Sequence, residues 1–433
     1  MTAPLSIARS RRGAALLIAA LIPACDDRAP PARTSKRDAG AASAKPMATA
    51  PPASSSARAI AEAPPGDAGV KGRASLDERD VSGATAWIFD RAVDVGPAGP
   101  ASASEQGVVF VTGSDDIVLA ALTKPKRNAA ARAAAPVKTI AEETRFRHST
   151  RRPLVLGQIV YWVSAGRLLR RSLAAGAPQE VLRTDARTGT KLSGALLGST
   201  PYVVYITESG SGDPRARLWV EGQALVDLSP EGSSASSTSL LLQSTGQLLF
   251  VALEGRSAMS PVHVRSIRVH EGRPELDADR VLWVGGGAQA ATELETVKDE
   301  NAQLWTVVPL ERSATEFALA SIPVRRDAVP DDAVSWTAYA NGLDRPAVAT
   351  GQLCGRAALL TARPSTAAPG ARQKLHLSTL EGGAVTDRAV VLEAQRIRDV
   401  SLATWEGGGL IALIADGRTL AVTVHCATPG KRF

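Results

Sequence analysis

The sequence predicts an all-β fold: a seven-bladed β-propeller of four-stranded antiparallel blades, preceded by a signal peptide and a disordered tether. Two observations support the propeller. Short apolar runs broken by Gly, Asp and Pro fill the chain after residue 83, and no long stretch carries the 3.6-residue period of a helix. One kind of run then recurs every 43 to 56 residues. That spacing is typical of a propeller blade.

The recurring run is strongly apolar and is predicted to be the second strand of each blade. Its seven members begin at Val108, Ile159, Tyr202, Leu248, Leu304, Ala357 and Leu410. A more amphipathic strand follows each of them, and most units add a fourth strand and a preceding first strand. One such unit cannot bury both of its faces, whereas a ring of units buries both and protects the strand edges. We therefore expect one closed ring, with two packed β-sandwiches as the alternative.

The ends of the folded region predict how the ring closes. The seventh unit has three strands, and the folded region opens with an extra strand at residues 85–90. The first strand of a propeller chain often completes its last blade. We therefore expect Trp87–Phe89 to form the outer strand of the blade that contains residues 410–425.

The N-terminus has the features of a secretory signal. An apolar stretch, residues 13–22, follows three arginines. It is too short to cross a bilayer core, which needs about 20 helical residues. The motif Ile22-Pro23-Ala24-Cys25 comes next and resembles the lipobox of bacterial lipoproteins. The resemblance implies cleavage before Cys25 and acylation of its thiol and new amine; the alternative is a signal cut elsewhere, with Cys25 a plain thiol.

The composition changes after Cys25. Ala, Pro, Ser and Gly dominate up to about residue 82, and this stretch contains no aromatic residue. It cannot bury enough apolar surface to offset the entropy of ordering it, so it is predicted to be a disordered tether. The expected organisation is a signal peptide at 1–24, a tether at 25–82 and a propeller at 83–433. This arrangement resembles bacterial propeller lipoproteins in general and implies a lipid-anchored protein of the cell envelope.

Charge and location restrict the partners. Removal of a signal peptide that carries Arg9, Arg11 and Arg12 would lower the formal charge from +7 to +4. The remaining basic residues are scattered, so nucleic acid is not a predicted partner. We expect the membrane, through the anchor, and proteins on a propeller face as partners of a monomeric ring. Asp26 resembles an inner-membrane retention signal of some envelopes, but the sequence leaves the choice of membrane undecided.

Candidate catalytic and ligand-binding residues are few, and the sequence predicts no catalytic, cofactor or metal site. The histidines have no zinc-ligand spacing; they are His148, His263, His270, His376 and His425. The acidic pairs do not match a calcium loop; they are Asp115-Asp116, Asp277 with Asp279, and Asp331-Asp332. Five strand tryptophans are expected to pack between blades: Trp162, Trp219, Trp283, Trp305 and Trp336.

Two further cysteines, Cys354 and Cys426, fall in neighbouring predicted blades. An exported chain can oxidise them to a disulfide if their Cα atoms come within about 7 Å. The alternative, which the sequence favours, is two buried free thiols.

The sequence leaves two functional hypotheses. The first is a non-enzymatic binding or scaffold module for protein partners. The second is a propeller enzyme, a polysaccharide lyase, hydrolase or lactonase, with its site in the central channel. An enzyme of that kind needs polar side chains from several blades to meet in a deep acidic pocket, whereas a channel lined by small residues would exclude it.

Overall fold

In the computed structural model the described residues are 87–112, 114, 116–122, 138–141, 152–174, 176–208, 213–230, 232–254, 261–285, 289–290, 293–311, 316–340, 347–366 and 370–426. The predicted signal peptide, Cys25 and the predicted tether lie outside them. No helix in this described part is long and apolar enough to cross a membrane.

The strands, numbered in chain order, are β1 (Trp87–Phe89), β2 (Val93–Pro97), β3 (Ala101–Ser104), β4 (Gly107–Val111), β5 (Ile117–Ala121), β6 (Lys138–Ala141), β7 (Leu154–Leu156), β8 (Ile159–Ser164), β9 (Arg167–Ser172), β10 (Glu180–Arg183), β11 (Ser193–Leu197), β12 (Thr200–Ile206), β13 (Ala216–Val220), β14 (Val226–Asp227), β15 (Ala235–Leu242), β16 (Leu248–Glu254), β17 (Val262–His270), β18 (Arg273–Leu276), β19 (Arg280–Trp283), β20 (Gln289–Ala290), β21 (Glu295–Lys298), β22 (Leu304–Glu311), β23 (Glu316–Pro323), β24 (Ser335–Ala340), β25 (Val348–Leu353), β26 (Arg356–Pro364), β27 (Gln373–Glu381), β28 (Ala384–Ala394), β29 (Ile397–Trp405), β30 (Gly408–Ala415) and β31 (Arg418–Cys426). A 3-10 helix, Asp331–Ala333, lies between β23 and β24.

These strands form seven antiparallel sheets, which confirms the predicted blades. Blade 1 is β3-β4-β5-β6, blade 2 is β7 to β10 and blade 3 is β11 to β14. In blade 4, β15-β16-β17 carries both β18 and β19 on its outer edge; in blade 5, β20 and β21 share the inner edge of β22-β23-β24. Blade 6 is β25 to β28. Blade 7 is β29-β30-β31 with β1 and β2 on its outer edge.

The innermost strands show that the sheets form one closed ring. Around the centre, β3 contacts β7, then β11, β15, β21, β25 and β29 follow in turn, and β29 contacts β3 again. This circuit rules out the alternative of two β-sandwiches. The inner strands lie so close together that a Cβ atom added at Gly194 in β11 would come within 2.9 Å of the Leu154 side chain in blade 2.

The N-terminal strand closes the ring as predicted. β1 runs antiparallel to the end of β31, with Trp87 opposite Cys426 and Phe89 opposite Val424. β2 continues along the same edge, from Val93 opposite Ala421. Together the two segments serve as the outer strand of blade 7, so the N-terminal and C-terminal strands of the ring share one sheet.

Burial explains why the second strands were the clearest signal in the sequence. Every residue of β30 is buried, because a strand inside a blade is covered by neighbouring blades on both faces. The core between blades 6 and 7 shows this packing: Leu360, Leu377 and Leu413 belong to it, and Trp87 and Phe89 pack against it from β1.

Two inner strands were not predicted. β3 has the sequence Ala-Ser-Ala-Ser and carries no apolar run. β21 has the sequence Glu-Thr-Val-Lys. Neither strand carries a run of apolar residues, so neither shows the hydrophobic signal that marks the second strands.

The antiparallel order gives the ring two different faces. Each inner strand ends at the turn to its second strand; we call the side that carries these turns, together with those between third and fourth strands, the hairpin face. The opposite side carries the turns between second and third strands and the blade-to-blade connections, and we call it the connection face. Since Trp87 pairs with the last residue of β31, β1 begins at the hairpin face.

Candidate functional site at the channel mouth

Charged side chains converge where the central channel meets the connection face. Arg152 and Lys191 come just before the inner strands of blades 2 and 3, and Glu293 and Glu295 lie at the start of the inner strand of blade 5. Asp399 is the third residue of the inner strand of blade 7. Because all inner strands begin at the connection face, the fold brings these residues to one end of the channel. We call these five residues the channel cluster.

The cations of the channel cluster reach across the channel to blades that are not their neighbours. Arg152 Nη2 lies 3.0 Å from Glu295 Oε1, and its Nη1 lies 3.8 Å from Asp399 Oδ1. The same Nη1 donates to the Val400 carbonyl oxygen. Lys191 Nζ contacts Glu295 Oε1 as well. One guanidinium thus joins blades 2, 5 and 7, and the side chains occupy the mouth of the channel.

Burial makes these pairings strong. The Arg152, Lys191 and Glu295 side chains are 13%, 10% and 15% exposed. Burial by itself lowers the pKa of Arg152, but Asp399, Glu295 and Glu293 outweigh it and leave that pKa raised, so the guanidinium stays charged. Burial raises the pKa of Asp399 above its ordinary value and Glu293 adds to this, while Arg152 opposes them.

Short hydroxyl side chains tie neighbouring inner strands together below this mouth. Ser193 Oγ lies 3.1 Å from Thr238 Oγ1, which links blades 3 and 4. Ser237 Oγ accepts the Leu294 amide at 3.1 Å, which links blades 4 and 5. Ser401 Oγ accepts the Ala103 amide at 2.9 Å, which links blades 7 and 1. The inner strands therefore use their polar groups to hold the ring together.

The channel mouth differs from the deep acidic pocket that a propeller enzyme would need. Residues from four blades do converge, but both cations lie on carboxylates of the same cluster. Glycoside hydrolysis requires a carboxyl pair with open space between the groups for the scissile bond. Here Glu295 Oε1 is shared by two cations, so this oxygen is not free to act as a nucleophile or base.

Comparisons with known proteins give likenesses of fold. No protein-family model and no curated protein matches the chain. Among solved structures, a protein of unknown function from Dyadobacter fermentans is 9% identical with a TM-score of 0.43, over 79% of this chain and 99% of that one. By its own closed ring of seven sheets, the chain is a β-propeller.

Two enzymes are among the other similar structures. An inactive variant of virginiamycin B lyase from Staphylococcus aureus, with quinupristin, is 10% identical with a TM-score of 0.40, over 78% of this chain and 99% of that one. The sialidase of Trypanosoma rangeli, in a covalent complex with 2,3-difluorosialic acid, is also 10% identical with a TM-score of 0.40, over 78% of this propeller chain and 59% of the sialidase.

Of the candidate histidines and acidic pairs, the structure brings His263 and Asp279 together, 2.8 Å apart. His376 and His425 each lie beside one carboxylate, Asp387 at 3.4 Å and Asp90 at 3.1 Å. Among the described residues no group of three or more His, Cys, Asp or Glu side chains could hold a metal ion. His148 and Asp115 lie outside these residues.

The tryptophans pack between blades as predicted, and they differ in how deeply they are buried. Trp219 of blade 3, for example, lies 6.2 Å from Tyr161 of blade 2 and packs against the core that these blades share. Trp162, Trp283 and Trp305 are buried, with exposed fractions of 0%, 2% and 6%. Trp219 is half-buried, with the Arg170 guanidinium 5.4 Å from its ring centre. Trp336 is 40% exposed and contacts Trp283 edge-on at 6.0 Å, so this side chain only partly covers its neighbour.

The channel cluster has no local sequence motif, so the sequence does not predict it. Its members are spread from residue 152 to residue 399 and share only their place at the start of an inner strand. Arg152, Lys191 and Glu293 each lie two residues before the start of an inner strand, whereas Glu295 and Asp399 lie within one, so the repeat pattern of the sequence gives only a partial signal.

His263 forms a second buried ionic group, on blade 4. Its Nδ1 lies 2.8 Å from Asp279 and its Nε2 lies 3.3 Å from Glu254. Arg265 Nε faces the same Asp279 at 3.9 Å. The hydrogen bond to Asp279 raises the pKa of His263, burial opposes it, and Glu254 adds to the rise.

Protonated His263 is therefore expected to stabilise the propeller. Its contribution, about 1–2 kcal/mol for a charge-assisted pair, should be complete below an ordinary histidine pKa of about 6.5 and lost as pH rises through the higher folded-state pKa. Urea unfolding of the wild type and of His263→Gln from pH 5.5 to 8.5 measures the difference, which should shrink as pH rises. His270→Gln, at an exposed position, is the control and should show no such trend; a constant difference for His263→Gln would contradict the expectation.

The hairpin face carries a different feature. In the structure a disulfide joins Cys354 to Cys426, with their Cα atoms 5.6 Å apart. Both cysteines line an open cavity of about 530 Å³, together with Gln352, Trp405 and Glu406. The cavity and the disulfide therefore lie on the side of the ring where the N-terminal strand enters.

Proposed function

We propose that the protein is an exported, lipid-anchored envelope protein whose propeller is a non-enzymatic binding scaffold for protein partners. The observation that supports a non-enzymatic scaffold is the ion pairing within the channel cluster. Arg152 and Lys191 pair with carboxylates across the channel mouth, so these charged groups are engaged with one another. This leaves the surface loops as the part of the ring that varies from blade to blade and can bind another protein.

The proposed anchor rests on the sequence around Cys25, and two features of the ring are consistent with it. The Cys354–Cys426 disulfide suits an oxidising compartment outside the cytoplasm. β1 begins at the hairpin face. An acylated Cys25 would therefore be linked to the ring through that face, so the tether itself would not cover the connection face.

The length of chain between the anchor and the ring limits how far from the membrane the ring can bind a partner. About 60 residues separate Cys25 from Trp87. A flexible chain of that length has a root-mean-square span of about 45 Å. Such a tether would keep the ring close to the membrane without fixing its orientation, so we expect partners that are themselves membrane proteins or lie near the membrane.

Mass spectrometry of the mature protein tests the anchor. We expect an N-terminal peptide that begins at Cys25 and carries a diacylglyceryl group and an amide-linked acyl chain, together with recovery of the protein in the membrane fraction. A Cys25→Ser variant is the matched control and should be recovered as an unacylated protein. An unmodified Cys25 thiol in the mature wild type would contradict the anchor without bearing on the scaffold.

Crosslinking in intact envelopes tests the scaffold. A photoreactive residue at Arg187 or Arg396, both in connections on the connection face, should capture a discrete protein, whereas one at Glu271, in a turn on the hairpin face, should capture less of it. Equal capture at all three positions would contradict the assignment of the binding face. The captured protein should also be retained by the purified ring.

One observation favours a second candidate, an enzyme with a channel site: charged residues from four blades meet there, and burial raises the pKa of Asp399. This candidate predicts turnover of a polysaccharide or lactone that is abolished by Asp399→Asn and Glu295→Gln. The scaffold predicts that partner capture survives both substitutions, provided the ring stays folded.

A further inference from the structure

We propose that the Cys354–Cys426 disulfide is a site of thiol–disulfide exchange, and that its reduction by a dithiol loosens the seam where the ring closes. Cys354 lies in the turn between β25 and β26 of blade 6, and Cys426 is the last residue of β31 in blade 7. The disulfide thus joins two neighbouring blades covalently on the hairpin face. The inference does not depend on acylation of Cys25 or on the identity of any partner.

The disulfide lies directly on the closure of the ring. Cys426 is opposite Trp87, the first residue of β1, in a segment that pairs with β31 through only three residues. Its amide donates to the Gly407 carbonyl oxygen at 3.0 Å. Trp87 and Cys354 also pack against the same core between blades 6 and 7. The covalent link therefore holds the end of the one strand on which the N-terminal segment depends.

The turn that carries Cys354 is set by the hairpin and not by the disulfide. Cys354 and Gly355 have φ values of 56° and 78°, as expected for a two-residue type I′ hairpin. Ala165-Gly166 and Asp416-Gly417 form turns of the same kind in other blades. The cysteine thus occupies a regular turn position, and blade 6 keeps its hairpin when the sulfur is released.

Solvent and small thiols can reach the sulfur atoms. Both cysteines are half-buried, and both line the open cavity of about 530 Å³ with Gln352, Trp405 and Glu406. Structural disulfides of secreted proteins are commonly enclosed in the core, whereas exposed ones are more readily exchanged. This disulfide belongs by its position to the second group.

The exchange has two balanced steps. A thiolate of the dithiol attacks one sulfur, the Cys354–Cys426 bond breaks, and the departing cysteine leaves as a thiolate that takes a proton from water. The second thiol of the reductant then loses its proton and attacks the other reductant sulfur, which is bonded to the protein in the mixed disulfide. The reductant closes into a disulfide, and the remaining cysteine leaves as a thiolate and takes up a proton. Two electrons pass from the dithiol to the protein, and the dithiol becomes a disulfide.

Dithiothreitol is the probe for the test, applied to the native full chain without denaturant. Peptide mapping without reductant first establishes the Cys354–Cys426 link and keeps Cys25 separate. After reduction and alkylation we expect both cysteines to be labelled while circular dichroism is unchanged. Amide hydrogen exchange should accelerate at least about tenfold in β1 and at the end of β31, but not in β16 of blade 4.

A Cys354→Ser/Cys426→Ser variant is the matched control and should show the fast exchange in β1 with or without dithiothreitol. Three results would overturn the proposal: a disulfide that resists dithiothreitol until denaturant is added, reduction that leaves β1 and β31 as protected as before, or loss of protection in all blades together. Because the wild type itself carries the measurement, the test remains valid if the double variant fails to fold.

Discussion

Replacing Arg152 by alanine is expected to lower the free energy of unfolding of the ring by about 3–5 kcal/mol, since removing one partner of a buried ion pair leaves the other charge uncompensated. The Arg152 side chain is 13% exposed and forms ion pairs with two carboxylates, those of Glu295 and Asp399. Glu295 keeps its contact with Lys191, whereas Asp399, 30% exposed and 3.8 Å from Arg152, loses this cation and is partly screened by solvent, so we expect a value at the lower end of that range. Guanidinium chloride unfolding followed by tryptophan fluorescence measures the change.

The control for this prediction is Arg418→Ala. Arg418 lies 2.7 Å from Asp94, but both side chains are about half exposed, and such a surface pair contributes no more than about 1 kcal/mol. If Arg152→Ala costs no more than Arg418→Ala, the cross-channel pairs do not stabilise the ring. In that case the channel cluster has to be explained by ligand binding, which would favour the enzyme over the scaffold.

The pH dependence of the same variant gives an independent check. Asp399 already has a raised pKa, and loss of the Arg152 charge should raise it further. An acid with a raised folded-state pKa is most favourable to folding when protonated, so the destabilisation should deepen as pH rises from about 4 to 7. Adding Asp399→Asn to Arg152→Ala should recover part of the loss at pH 7, which a double-mutant cycle would show.

The second strands could be predicted because a strand that is buried on both faces has a continuous apolar run in the sequence. "IVYWVS" at Ile159 and "LIALIA" at Leu410 became β8 and β30. The inner strand β3, Ala-Ser-Ala-Ser, has no such run, because its place is secured by hydroxyl contacts with neighbouring blades, such as Ser102 with the Pro153 carbonyl oxygen. The hydrophobic pattern of the sequence thus predicts which strands are buried better than it predicts where a strand lies in the ring.

The channel cluster and the disulfide depend on closure, which local sequence does not encode. Arg152 meets Asp399 only because the seventh blade returns to the first, and the separation of Cys354 and Cys426 is set by the register of β31 against β1 and β30. From spacing alone the two cysteines could as well have remained apart. Contacts between distant repeats require the number of blades and the closing register before they can be derived.

The closing strand carries the other large expected effect. Trp87 and Phe89 pack against the core between blades 6 and 7, whereas Ile88 lies between them along β1 and does not belong to that core. Both aromatic side chains are half-buried. Full removal of a buried aromatic side chain costs about 3–5 kcal/mol, so we expect the double substitution Trp87→Ala/Phe89→Ala to destabilise the protein by about 3–5 kcal/mol in total.

The same substitutions should act on blade 7 before the other blades. Without β1 the end of β31 becomes an open sheet edge, and open edges invite pairing with other chains. We expect faster hydrogen exchange at Val424 and Cys426, and concentration-dependent association by light scattering. Ile88→Ala, in the same strand, is the matched control; Ile88 is also half-buried but lies outside that core, so it should change stability by only about 1–2 kcal/mol. Equal effects of the two variants would show that β1 is held by its backbone pairing alone, and that the aromatic side chains do not secure the ring. In that case β1 would be held only by its backbone hydrogen bonds to β31, and tension on the preceding chain would separate it from blade 7.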